Sequence, residues 1–305
     1  MVFSEYQQKL LDLPVTDFDP EAGIGSTTEA YRLKIDYDEY DSDITIVDRI
    51  QAFLKDPMVE AVQGVSIGSW DFEASESSAV IVAELVRHAT RLESLRALFI
   101  GDITCEEQEV SWIEQSDLAP LLQAFPKLAY LGVRGANSLM FSRVQHPNLT
   151  HLVIESGGLA LSVLKDLSQC SFPKLHHLEL WFGSEWYGFN MDAGQILAFL
   201  NGLELPHLRY LGLRNCVIAD DLAGELGNLS WLGQLEVLDL SQGTFGDAGA
   251  AALTLIPAIK QLNTLHLDHH YMSDAGIDLV RGLGITVTHE EKQEHDDDRY
   301  VAVAE

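Results

Sequence analysis

Apolar and polar positions recur along most of the chain in one spacing, L-x-x-L-x-L-x-x-N/C-x-L. The pattern fits from Leu95, Leu128, Leu149, Leu175, Leu208, Leu235 and Leu262, with a weaker copy from Val62. Its middle alternates with the two-residue period of a half-buried strand. Strand centres are therefore predicted at Ile67, Ile100, Val133, Ile154, Leu180, Leu213, Leu240 and Leu267, spaced 21 to 33 residues apart. Between them, stretches such as 75–92, 159–170, 192–203 and 247–259 space their apolar residues as helices do, often behind an Asp or Ser placed to cap the amino end. Each unit thus reads as strand, turn and helix, and such units stack with a parallel sheet inside and helices outside.

The eleventh position of each copy tests the register independently. It is expected to be apolar and buried, and it is Phe72, Cys105, Leu159, Ile218, Phe245 and Met272; one copy slips by a residue to Leu139, and one fails at Glu185. The failing copy runs into "ELWFGSEWYGFNMDAG", which inserts Trp181, Phe182, Trp186, Tyr187 and Phe189 between strand and helix. Such a loop either folds back to fill a gap or presents an aromatic anchor. A second insertion, 105–117, carries Trp112 among glutamates, and Trp112 is expected to plug a packing gap. Segments near Ile35 and Ile285 read as capping turns. The expected organisation is one α/β solenoid, a horseshoe with a concave parallel sheet and convex helices: a capping segment of strand plus helix over 1–58, repeats over 59–288 and an acidic tail over 289–305. The tail closes on the alternation "RYVAV", either frayed or docked through Tyr300, Val301 and Val303.

These residues resemble the leucine-rich-repeat superfamily over roughly 59–285. The turns "FGDAGAAAL" and "MSDAGIDLV" are similar to its ribonuclease-inhibitor-like branch, where a D-x-G step opens each helix. The stretch "ALFIGDITCEEQEVSWIEQSDLAPLL" with the tail "HDDDRYVAVAE" resembles a bacterial, cytoplasmic leucine-rich-repeat family of unassigned function. That resemblance implies a cytoplasmic protein and no chemistry.

Charge narrows the partner. Among 305 residues, 47 acidic side chains face 19 basic ones, a formal net charge of −28. Phosphate binding needs clustered cations, so nucleic acid and anionic membranes are excluded as expected partners, and a basic protein surface fits the field. No basic region followed by an apolar run opens the chain, and no window approaches a membrane span. Cys105, Cys170 and Cys216 have no C-x-x-C spacing, which suits a reducing compartment.

Between the leucines, three columns of side chains point out of the sheet. The first is Tyr130, His151, His177, Tyr210, Val237 and Thr264; the second is Phe99, Gly132, Val153, Glu179, Gly212, Asp239 and His266; the third is Gly101, Arg134, Glu155, Trp181, Arg214, Ser241 and Asp268. Trp, Tyr and Arg dominate binding hot spots, whereas tyrosines also suit strand geometry for its own sake. The expected partner surface is Tyr130, Arg134, His151, Glu155, His177, Glu179, Trp181, Tyr210, Arg214, Asp239, His266 and Asp268. The alternative is a metal site, enzymatic or not, built from His266, Asp268 and His270, although His270 also holds the N/C position whose side chain satisfies turn backbone. Cys216 holds the same position one repeat earlier but one. No nucleophile elbow, phosphate loop or zinc motif is present. The reading is a non-catalytic protein-interaction scaffold without a cofactor, with a purely structural subunit as a further alternative.

Overall fold

A computed structural model describes residues 5–42, 44–294 and 298–305; the tail positions 295–297 lie outside the described residues. The chain forms two compact units, one ending at Glu155 and including Gln169–Lys174, the other comprising Ser156–Ser168 and Leu175–Ala304.

The amino-terminal unit carries β1 (Lys9–Leu10), β2 (Leu13–Asp17), β3 (Ala30–Leu33), β4 (Gly64–Ile67), β5 (Ala97–Ile100), β6 (Tyr130–Arg134) and β7 (His151–Glu155) in sequence order. The β1 to β2 step is an antiparallel hairpin and every later pairing is parallel. Ile67, Ile100, Val133 and Ile154 line up across neighbouring strands, as their repeat positions require. Helices α1 (Tyr37–Tyr40), α2 (Ile46–Lys55), α3 (Ala79–Arg87) and α4 (Ala119–Ala124) complete this unit.

The carboxy-terminal unit repeats the scheme with α5 (Leu161–Leu167), β8 (His177–Gly183), α6 (Ala193–Gly202), β9 (Tyr210–Cys216), α7 (Ala219–Glu225), β10 (Val237–Asp239), α8 (Asp247–Thr254), β11 (Thr264–His266), α9 (Asp274–Arg281) and β12 (Thr286–Thr288). Leu178, Leu211, Leu238, Leu265 and Val287 align in parallel register. The fold class is the expected one, an α/β leucine-rich-repeat solenoid. Leu139, Leu159, Phe245 and Met272 are buried at the eleventh position, whereas Phe72, Cys105 and Ile218 are half-buried.

The D-x-G step works differently from a simple cap. Asp192 does cap α6, accepting from the Gln195 amide at 2.8 Å. Asp247, however, is the first residue of α8 and reaches the next repeat, where its carboxylate accepts from Ser273 N at 2.8 Å and Ser273 Oγ at 2.7 Å. Asp220 does the same one repeat earlier, accepting from Gly246 N at 2.7 Å and Gly249 N at 3.0 Å. The glycine follows from this reach: a Cβ on Gly276 would lie 2.0 Å from Asp247 Oδ1. Asp220 therefore caps α8 of the following repeat directly, whereas Asp247 braces Ser273, whose own hydroxyl caps α9 by accepting from the Gly276 amide.

Two expectations about the insertions change. Trp112 is 57% exposed and plugs nothing, because Val110 and Ile113 on either side take the buried positions. In the aromatic insertion Trp181, Phe182 and Phe189 are buried, with Phe182 and Phe189 edge to face at 6.1 Å, while Trp186 is 91% exposed.

Candidate functional site

The predicted partner residues of the amino-terminal unit are largely engaged by the unit itself. Leu10 and Leu13 of the β1 to β2 hairpin pack with Ala30, Ala97 and Phe99, and Tyr130 joins them. Phe99, expected on the open sheet face, is therefore fully buried. Arg134 Nε donates to Glu155 Oε2 at 2.7 Å and its Nη1 to the Ile103 carbonyl at 2.6 Å, while Gln7 Nε2 donates to Glu155 Oε1 at 3.1 Å. Tyr130 and His151 stay half-buried with ring centres 6.1 Å apart.

The carboxy-terminal unit draws most of its predicted residues into one cluster. Alternation on β8 puts His177, Glu179 and Trp181 on one side of the strand, and the parallel register sets Tyr210 beside His177 and Arg214 beside Trp181. Between Tyr210 and Arg214 stands Gly212, where a Cβ would lie 2.9 Å from Glu179 Cγ, so the absent side chain lets the glutamate lie flat. Glu179 Oε1 accepts from Trp181 Nε1 at 2.6 Å and Arg214 Nη1 at 2.8 Å. Its Oε2 lies 3.3 Å from His177 Nε2 and 3.1 Å from the Tyr210 hydroxyl, which also lies 2.8 Å from Asp239 Oδ2. Arg214 Nε is 3.3 Å from Asp239 Oδ2 and donates to Ser241 Oγ at 3.1 Å, and its guanidinium sits 4.6 Å from the Trp181 ring centre. The His177 and Tyr210 rings stack 3.9 Å apart at an interplanar angle of 4°.

Electrostatically the cluster is closed. Burial alone would raise the Glu179 pKa, but the His177 hydrogen bond, the Arg214 charge and the Trp181 donor outweigh it and hold the group at about 2. Burial, and then the neighbouring carboxylates, push the Tyr210 hydroxyl far above its ordinary range. The guanidinium is raised despite burial, by Glu179 and Asp239. Glu179 is thus a fixed anion whose acceptor sites are occupied, with no spare capacity for proton transfer.

His266 and Asp268 sit one repeat further on, joined through Thr288. Thr288 Oγ1 donates to Asp268 Oδ2 and lies 2.9 Å from His266 Nδ1. The alternative reading, a metal cluster of His266, Asp268 and His270, is not supported. His270 is fully buried, its Nδ1 accepts from Met272 N at 3.0 Å, and its Nε2 lies 3.1 Å from the His289 carbonyl. Both ring nitrogens thereby serve turn backbone, and no group of His, Cys, Asp and Glu suited to a metal occurs among the described residues. Burial pushes the Cys216 thiol up to about 12, where it is inert as a nucleophile.

Sequence reasoning missed the hairpin that covers Phe99; the pair Leu10 and Leu13 ahead of the first repeat was its only signal. The tail, left open between frayed and docked, is docked. Val301 and Val303 are buried on the chain's own body, so residues 299–304 are not frayed, although the Tyr300 side chain is exposed. The tail's receivers, Asn215, Gln242 and His269, share the eighth template position and all have positive φ, at 52°, 68° and 58°.

Repeated parallel strands backed by helices, with a polar and aromatic sheet face, define a leucine-rich-repeat protein. No family model and no curated protein matches the chain. Among solved structures, a Bacteroides fragilis protein determined by a structural genomics consortium is 33% identical, with a TM-score of 0.80 over 87% of this chain and 75% of that one. The chain belongs to the same family as that protein. An internalin from Listeria monocytogenes is also similar, at 15% identity and a TM-score of 0.37 over 81% of this chain and 70% of that one, a likeness too loose to add to the argument. No helix among the described residues is long and apolar enough to cross a membrane.

Proposed function

We propose that this chain is a non-catalytic scaffold that binds another protein on the sheet face of its carboxy-terminal unit. The observation that carries the reading is the half-buried His177 and Tyr210 stack seated on the fully paired Glu179. Side chains already locked by their neighbours lose little conformational freedom on association, so contacts made by this face convert efficiently into affinity. Val237, Thr264 and His266 extend the half-buried face beyond the stack, and Asp239 and Asp268 set its charge. In the amino-terminal unit, Tyr130, Arg134, His151 and Glu155 act from within as supports. The net charge of −28 favours a basic protein partner over nucleic acid or an anionic membrane and speeds encounter with it. The same reading places the protein in a bacterial cytoplasm, with repeats of ribonuclease-inhibitor-like type and no cofactor.

Affinity capture from cells of the source organism tests it. The wild type is compared with a His177→Ala, Val237→Glu variant whose fold is checked by circular dichroism. A protein retained by the wild type and lost by the folded variant is the expected result, and its association rate falls as salt rises. Identical captures would remove the sheet face from consideration.

A further inference from the structure

The described tail residues 299–303 occupy a groove along the turns that follow β9, β10 and β11. Arg299 Nη1 donates to Asp220 Oδ2 at 2.8 Å and to the Thr244 carbonyl at 3.0 Å. Tyr300 is gripped through its backbone alone: its N–H donates to the Tyr271 hydroxyl at 2.8 Å, and that hydroxyl donates to its carbonyl at 2.9 Å. His269 Nε2 lies 3.2 Å from the same carbonyl. Ala302 N donates to the Gln242 carbonyl at 2.8 Å, and Val303 is held by the Asn215 amide, which accepts from its N–H at 3.0 Å and donates to its carbonyl. Alternate side chains are treated oppositely, with Val301 and Val303 buried and Tyr300 outside at 68% exposure.

Backbone hydrogen bonds combined with pockets for every second side chain are how proteins recognise extended peptides. Here three of the receivers, Asn215, Gln242 and His269, come from one repeated position, with the Tyr271 hydroxyl beside them. Asn215, Gln242 and His269 are all left-handed, a conformation that L side chains seldom adopt and that recurs only where something holds it. Gln242 receives the tail through its backbone carbonyl, while its side-chain Oε1 is buried without a hydrogen-bond partner among the described residues.

We propose that this groove is a peptide-binding site for a partner segment of pattern R-x-V-x-V, and that the chain's own tail is its removable internal occupant. Asp220 selects the cation, two apolar pockets select β-branched side chains at alternate positions, and the intervening residues are free to vary. The site is separate from the sheet face and does not rest on the function proposed above.

The test uses the full chain with Val301→Asp and Val303→Asp, which loosens the tail, and a fluorescein-labelled RYVAVAE peptide followed by anisotropy. Saturable binding is expected, about tenfold or more weaker for the wild type because the tethered tail competes at high effective concentration. Adding Asn215→Ala abolishes binding, whereas adding Leu255→Ala, at an exposed position, leaves it unchanged. No binding to a folded tail variant overturns the proposal, as does loss of cooperative unfolding in that variant, which would make the tail part of the core. In the wild type, the amides of Ala302 and Val303 exchange faster than those of Leu211 and Leu238; equal protection would also overturn it. A concentration-dependent wild-type dimer would assign the groove to a second copy's tail and likewise overturn the partner reading.

Discussion

Trp181 and Arg214, neighbours across the β8 to β9 ladder, share one acceptor: both donate to Glu179 Oε1, at 2.6 and 2.8 Å. The indole therefore acts as a polar side chain as well as a packing one, and the guanidinium lies over its ring. Removing the acceptor strands both donors. Glu179→Ala is expected to cost about 3 kcal/mol, the usual penalty for leaving one member of a buried pair alone. Urea unfolding measures it, and a loss below about 0.5 kcal/mol would show that water replaces the carboxylate freely.

Acid should act through the same residue. Its folded-state pKa of about 2 lies below the ordinary 4.5, so its contribution is complete above pH 4.5 and is lost as pH falls towards 2. The shift corresponds to something on the order of 3 kcal/mol. Unfolding free energies measured between pH 5 and pH 2 should fall less steeply in Glu179→Gln than in the wild type. Parallel curves would place the acid sensitivity elsewhere.

Gly276→Ala should destabilise the last repeats, because its new Cβ would meet the Asp247 carboxylate at 2.0 Å. A cost of roughly 1 to 3 kcal/mol is expected. Adding Asp247→Ala should recover part of it by removing the clash, while losing the two bonds that Asp247 accepts from Ser273. A thermal-denaturation double-mutant cycle reads the coupling, and additivity would contradict the geometry.

The aromatic insertion should divide sharply. Phe182→Ala removes a fully buried ring and should cost about 3 to 5 kcal/mol. Trp186→Ala, at 91% exposure, should change stability by less than about 0.5 kcal/mol. Melting temperatures of the two variants decide the matter, and a large loss from Trp186→Ala would mean that the loop is held by its indole.

Most of the architecture was legible because core burial imposes a period, and the leucines at Leu178, Leu211, Leu238 and Leu265 state it directly. The site was legible in part. Periodicity placed His177, Glu179, Tyr210 and Arg214 on one face, but it carries no information about which polar groups satisfy one another. It therefore suggested a metal cluster at His266, Asp268 and His270, where burial instead turned His270 onto turn backbone. Phe99 and Arg134 were misjudged as open for a related reason. Phe99 is covered by Leu10, and Glu155, the partner of Arg134, is reached by Gln7; both come from outside the repeat, far away in sequence, and leave no trace in it. Trp112 shows the remaining limit: in an irregular insertion nothing in the spacing distinguishes the residue turned inward from the one beside it.

Asp220, Asp247 and Asp274 stand 27 residues apart, and the first two each brace the start of a helix that is not their own. The third makes no such contact among the described residues; its carboxylate instead takes Lys292 Nζ at 2.9 Å. This joinery has a grain. A further unit grafted behind α9 would find a tenon already cut for its helix and only a lysine to displace, whereas the same unit placed ahead of α7 would have to bring a carboxylate for its neighbour.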